Sequence, residues 1–364
     1  MIERVYLDNI WSHVNFEWKP GSLAILMGAK GAGKTSLLDA LKNLQSFVLG
    51  EMSSIEAFDR SSRTRWEKQR REQTIELDVR GNGGLYRYRV VVEHDARTLG
   101  KNRVAFETLR FDDKPLVEFV DGKLSVFSDD GSRSAHFPAK ATRSAVGAID
   151  ASGDDRFLLW FKEWLLHLWL LKPDPRAMNP QLEPGKEVWL EANLSNFASF
   201  YLRNLATKPG SMFKATAALG KVLPGFLELH EEQGYLHARF GDDSASETYR
   251  FDELSDGQRA LIALYVLRHA VAGPGKTLVI DEPDNYISLR EIQPWLMEVT
   301  DLALTTGGPQ VWIISHHPEV LNLLAVDYGW KLFRVGNGPT RVERFQAVSG
   351  MDAAETVARG WDDA

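Results

Sequence analysis

The chain has 364 residues, 44% of them hydrophobic, which suffices for one large α/β domain or two smaller ones with a substantial core. Its 43 basic and 50 acidic side chains leave a net charge of −7, so nucleic-acid binding, if any, must come from local patches. The absence of cysteine excludes disulfides and thiolate metal sites and fits a reducing cytoplasm. Met1 to Arg4 does not open a signal peptide.

Residues 1–27 read as two or three strands. Val5, Leu7 and Ile10 begin the first, Val14, Phe16 and Trp18 alternate in the second, and Pro20-Gly21 turns the chain into the apolar run Leu23 to Met27. Next comes Gly28-Ala29-Lys30-Gly31-Ala32-Gly33-Lys34-Thr35, the spacing G-x-x-x-x-G-K-[ST] of a phosphate-binding loop. It lies between a strand and an apolar-periodic helix beginning at Ser36. Backbone N–H groups and the helix dipole therefore converge where an anion would sit. Lys34 would reach the β- and γ-phosphates, and Thr35 would offer its hydroxyl to Mg²⁺.

Arg60, Arg63, Arg65, Lys68, Arg70 and Arg71 then stand against one acid, Glu67, with Trp66 among them. The stretch reads either as a patch tracking a phosphate backbone, with the indole stacking on a base, or as a solvated helix face or disordered connection. Residues 73–128 alternate as antiparallel strands, with Gly81-Asn82-Gly83-Gly84 as a hairpin turn. Gly131 to Thr142 reads as a polar loop. From Ser144 to about Leu229 the pattern turns helical. One helix runs from Phe157 to Leu171, stopped by Pro173 and Pro175 and too short to span a bilayer. Another runs from Phe197 to Leu205 behind a Ser195 or Asn196 cap, and a third from Met212 to Leu223. Trp160 and Trp164 share a helix face as core or inter-subunit packing. Tyr235 to Phe240 and Thr248 to Phe251 return to strand.

Three further stretches carry chemistry. Ser255 and Gln258 have capping-box spacing around Gly257, which either presents an anion-receiving helix N-terminus or is simply a well-capped helix. Thr277 to Ile280 reads as a buried strand ending in Asp281 and Glu282. Adjacent acids there are costly unless paired or metal-bound. Asp281 would hold Mg²⁺ through its water shell, and Glu282 would orient and deprotonate an attacking water. Val311 to Ile314 is a similar strand, ending in Ser315-His316-His317. His316 would donate to the γ-phosphate or that water, and His317 would face solvent.

In this order the P-loop, Leu254-Ser255-Asp256-Gly257-Gln258, Ile280-Asp281-Glu282-Pro283 and Ser315-His316-His317-Pro318 resemble the heads of ABC-type ATPases. The similarity is to the RecF-like, structural-maintenance-of-chromosomes-like (SMC-like) and overcoming-lysogenisation-defect-like (OLD-like) branches. It is strongest to the stand-alone predicted ATPases of bacterial defence and repair loci, through Asn193-Leu194-Ser195-Asn196-Phe197 and Glu319-Val320-Leu321 as well. The resemblance implies an α/β P-loop fold: a single ABC-type head over 1–364. Its parts would be an N-terminal lobe with P-loop and β subdomain (1–143), a helical insert (144–233) and a C-terminal lobe (234–364). It implies ATP and Mg²⁺ as cofactors, with Gly28 to Ser36, Ser255, Gly257 and Gln258 around the nucleotide. Thr35 and Asp281 would be at the metal, and Lys34, Glu282 and His316 would be catalytic. It also implies a cytoplasmic homodimer, or higher homo-oligomer, that closes head-to-tail on ATP, hydrolyses it, and acts on DNA or a separate effector without a membrane partner. Lys30, where asparagine is usual, would either add charge near the phosphates or point to solvent. After Pro283 the usual glutamate and Leu-His-Pro are replaced by Asp284 and Ile287-Ser288-Leu289, and the Q-loop glutamine has no clear counterpart. A transporter subunit and a nucleotide-binding scaffold without significant turnover are the alternatives.

Overall fold

Side chains alternating along short apolar strands build two hydrophobic cores, one on each face of a single sheet. The computed structural model describes all residues except 68, 97, 99, 151–154, 184–188, 243, 360–364 and the side chain of Leu289. The chain opens with β1 (Ile2–Asp8), β2 (Phe16–Trp18) and β3 (Leu23–Met27), then helix α1 (Lys34–Val48) and the short α2 (Ser54–Ala57). An antiparallel run follows: β4 (Glu72–Gly81), β5 (Gly84–His94), β6 (Asn102–Phe111), β7 (Lys114–Val120), β8 (Lys123–Phe127) and β9 (Arg133–Pro138). After α3 (Ala145–Ala148) and α4 (Arg156–Leu166) come β10 (Leu168–Leu171), α5 (Phe197–Thr207) and α6 (Pro209–Val222). A small sheet of β11 (Phe226–Glu232), β12 (Tyr235–Gly241) and β13 (Ser246–Arg250) leads into α7 (Asp256–Val266). The last third holds β14 (Thr277–Asp281), α8 (Leu289–Leu304), β15 (Gln310–Ile314), α9 (Pro318–Tyr328), β16 (Gly329–Arg334), β17 (Thr340–Arg344) and α10 (Ala353–Ala358).

The central sheet has the order β10-β14-β15-β3-β16-β17, parallel except for the last hairpin. Leu23, Ile25 and Met27 of β3 join Leu278, Ile280, Val311 and Ile313 in a core shared with α5 to α9. Ala24 and Leu26, with Val279, Trp312 and Ile314, enter the other core, which α1 and the eight-stranded antiparallel sheet β2-β1-β4-β5-β6-β7-β8-β9 complete. Burial on both faces is why these strands read as unbroken apolar runs. The β4–β5 hairpin turns on Asn82 and Gly83, both with positive φ (50° and 82°), the two-residue turn that matches strand twist.

Two stretches differ from the expectations above. Residues 157–171 are not one helix: α4 ends at Leu166, and Leu168 to Leu171 form β10, paired in parallel with Thr277 to Ile280. A four-residue apolar run has no period of its own, and pairing with a sheet edge overrides its helical propensity. Within 131–142, Arg133 to Pro138 form β9, an edge strand whose side chains are nearly all exposed and so carry no apolar alternation. Trp164 is core, and Trp160 stacks on Tyr86 at 4.8 Å, docking α4 onto the antiparallel sheet. Asn196 precedes α5, but its side-chain oxygen accepts from the Glu191 N–H (2.9 Å) instead of capping the helix. No helix among the described residues is long and apolar enough to cross a membrane.

Burial holds His13, His94 and His269 below the usual histidine range, each at about 4, and neighbouring arginines add to this at the last two. The folded chain therefore refuses protons that the unfolded chain accepts below about pH 6.5, and stability present above that pH is lost toward pH 4. The urea midpoint should fall steadily between pH 6.5 and 4.5, and His13→Leu should flatten part of that slope whatever its absolute stability. A midpoint constant over this range would contradict the assignment.

Candidate nucleotide site

The parallel register brings four strand ends to one edge. Leu171 pairs with Ile280, Asp281 with Ile314, and Ile314 with Leu26, so the residues that follow each strand lie side by side. After β3, the P-loop turns through Gly28 (φ 143°) and Gly31 (φ 83°), and Gly33 (φ 105°) immediately precedes α1. A Cβ on Gly28 would lie 2.0 Å from the Leu332 carbonyl oxygen, and one on Gly33 2.5 Å from the Thr340 hydroxyl oxygen. Both positions therefore admit only glycine. That hydroxyl also bonds to the Ala32 carbonyl oxygen and lies 2.8 Å from the Ser12 hydroxyl, so the loop is backed by β17 and the β1–β2 turn. Lys34 is buried and donates to the carbonyls of Gly28 and Ala29. Burial lowers its pKa, against the raising effect of Asp281 and Glu282.

Asp281 is 4% exposed, and its carboxylate accepts from Lys172 Nζ at 2.9 Å. Glu282 adopts a left-handed backbone (φ 55°), rare for a side chain of this size and a mark of local strain. Its N–H donates to the Ile314 carbonyl (2.8 Å), and its carboxylate accepts from Asn285 Nδ2 (2.9 Å) and lies 3.5 Å from Lys172 Nζ. Lys172 follows β10 directly and was missed because residues 157–171 read as helix. The available signal was Leu-Trp-Leu-Leu before Lys172-Pro173. Burial opposes the Lys172 charge, but hydrogen bonds and charge from Asp281 and Glu282 raise its pKa above the ordinary value. Thr35, Asp281, Lys172, Asn285 and Tyr286 line one cavity of about 380 Å³. Thr35 and Asp281 offer hydroxyl and carboxylate oxygens, the hard donors Mg²⁺ takes, and leave its other positions to water and phosphate. Among the described residues no three His, Asp or Glu cluster as a metal site.

Ser315, directly after β15, is fully buried, its hydroxyl accepting from the His317 N–H (2.9 Å). His316 is the exposed member of the pair. Desolvation lowers its pKa first and Lys34 next, while Asp281 and Glu282 pull it up. His317 is half-buried and not simply solvent-facing: it precedes α9 and accepts from the Glu319 N–H (3.3 Å) through Nδ1. Asp284 is buried, and burial raises its pKa against the lowering effect of Ser315.

Ser255 caps α7 with the expected reciprocal bonds, and the Gln258 side chain is committed to that box. Ser255 is exposed and does not line the cavity. A Cβ on Gly257 would come within 2.8 Å of the Tyr286 carbonyl oxygen, and Asp256 pairs with Arg176 (2.8 Å) and Arg259 (2.6 Å).

Among the described residues of the basic stretch, only Arg60 to Ser62 form a helical (3₁₀) turn. Arg60, Arg65 and Arg71 are exposed, Arg63 bonds to the Arg70 carbonyl, and Arg70 pairs with Asp8 and Glu67; Lys68 lies outside the described residues. Trp66 packs under Arg334 (5.1 Å), which approaches the Gly31 carbonyl. Lys30 and Arg334 line a groove of about 740 Å³ between the P-loop and the β16–β17 hairpin.

The fold and this site define a protein of the P-loop, AAA-domain class. Residues 23–322 match the family described as "AAA domain, putative AbiEii toxin, Type IV TA system", and the chain belongs to it. Similar solved structures include the SMC head domain from Thermotoga maritima (14% identity, 95% of this chain and 99% of that one, TM-score 0.51). An Smc head bound to the C-terminal winged-helix domain of ScpA is 14% identical over 96% and 99% of the two chains, with a TM-score of 0.55. The Smc head with extended coiled coil from Pyrococcus furiosus, bound to the C-terminal domain of ScpA, is 12% identical over 100% and 98% (TM-score 0.50). No curated protein matches the sequence.

Gly28→Ala should lower stability by about 1–3 kcal/mol, because the left-handed backbone and the Leu332 carbonyl both oppose a methyl group. Thermal melting with and without ATP would show a lower midpoint and no shift on adding nucleotide; an unchanged midpoint would refute the close approach.

Proposed function

We propose that the chain is a Mg²⁺-dependent ATPase switch whose two copies close head-to-tail around two ATP molecules. The observation that carries this reading is the separation of the polar groups: Thr35, Asp281 and Asn285 line one cavity, whereas Ser255 is exposed and lies outside it. In the closed state, Gly28 to Ser36 cradle the phosphates of one ATP, with Lys34 turning from its loop carbonyls to the β- and γ-oxygens. Ser255 and Gly257 of the second copy cover the γ-phosphate, with the Gln258 side chain held in the cap. Thr35 and Asp281 would hold Mg²⁺, which would supply positive charge against the phosphates. Glu282, oriented by Asn285, takes a proton from the attacking water, and His316 donates to the γ-phosphate. Closure excludes water from the developing charge, and hydrolysis removes the group that both copies grip.

The cycle controls DNA or a separate effector protein in the cytoplasm, in antiviral defence or repair. The ScpA-bound Smc heads support the idea that such a head takes a protein partner. The exposed Arg60, Arg65 and Arg71 beside the P-loop lobe support DNA contact.

Lys34→Ala should weaken ATP binding on the order of 100-fold. Glu282→Gln should retain ATP, lose turnover by about 100-fold or more, and elute as a dimer with Mg²⁺-ATP. A monomeric Glu282→Gln at saturating ATP would overturn head-to-tail closure. Turnover measured with and without duplex DNA, and with Arg60, Arg65 and Arg71 replaced by Ser, tests the nucleic-acid arm.

A further inference from the structure

Beside the acid pair stands a cation that belongs to none of the sequence motifs. Lys172 is carried there by the register of β10 on β14, one residue beyond the Leu171–Ile280 pair. Its ammonium lies 2.9 Å from Asp281 Oδ2 and 3.5 Å from Glu282 Oε2. The two partners differ in access: the Asp281 side chain is 5% exposed, that of Lys172 56%. A buried carboxylate is thus neutralised by a side chain whose stem is free to leave. Asp281 is also the carboxylate proposed to face Mg²⁺. A second cation a few ångströms from the ammonium would repel it while sharing the same carboxylate.

We infer that Lys172 is a positioning residue that holds Asp281 and Glu282 in place of the metal, must swing off as Mg²⁺-ATP enters, and thereby sets the Mg²⁺ concentration at which the site loads. A lysine suits this role better than an arginine fork, because its compact charge on a flexible stem can be withdrawn without breaking a bidentate contact. The cavity of about 380 Å³ that Lys172 shares with Thr35 gives the withdrawn side chain room. This inference rests on the Mg²⁺-ATP reading above.

The test is Mg²⁺ titration of fluorescent ATP-analogue binding to the full chain, comparing wild type with Lys172→Met, Lys172→Gln and Lys172→Arg. Either neutral variant, so a folding failure of one leaves the other, should load at about three- to ten-fold lower Mg²⁺, with Lys172→Arg needing at least as much Mg²⁺ as the wild type. A neutral variant needing as much Mg²⁺ or more would overturn the inference. So would nucleotide binding weakened at saturating Mg²⁺, which would make Lys172 a phosphate ligand instead. Wild type that binds no nucleotide at any Mg²⁺ concentration would instead defeat the underlying ATPase reading.

Discussion

A sheet buried on both faces leaves chemistry only at its ends. Every side chain of β3, β14 and β15 is buried, and those between the strand ends serve one core or the other. Polar groups in mid-strand would face desolvation without partners, whereas at the carboxyl ends they meet one another and solvent. The Asp281–Lys172 pair is the sharpest instance: a carboxylate almost out of water, answered by a charge from the neighbouring strand. The P-loop, the strained Glu282 and the Ser315–His317 turn all follow from that one edge.

The two cores have different tasks. The antiparallel sheet, with α4 docked on it, completes the core in which α1 buries its apolar face. On the other face, α5 to α9 form the core from which the Ser255 cap of α7 and the acid pair emerge. Arg176 near Tyr286, the Arg176–Asp256 pair and the Gly257–Tyr286 approach tie the cap to the loop after β14. Ser255 is consequently held at the surface by a rigid support.

Much of this was legible in the sequence, for a physical reason: glycines with positive φ, buried apolar runs and capping boxes are local signals. The loop at Gly28 to Thr35, the strand before Asp281 and the Ser255 cap all stand where the local pattern put them. What escaped depends on distant partners. β10 is a strand only because β14 lies beside it, and Lys172 is beside Asp281 only through that register. β9 hides because an exposed edge strand carries no alternation, and His317 was misjudged because its ring is engaged by the backbone of α9.

The backing of the phosphate loop has one more consequence. Ser12 precedes the family-matched segment 23–322, and Leu332 and Thr340 follow it, yet all three press on Gly28, Ala32 or Gly33. Segments from either side of the matched region thus meet behind the glycines like the halves of a clasp. A fragment trimmed to the homologous core would keep every signature residue and lose the wall that gives the anion cradle its shape. For this protein, minimal sequence and minimal working unit are different things.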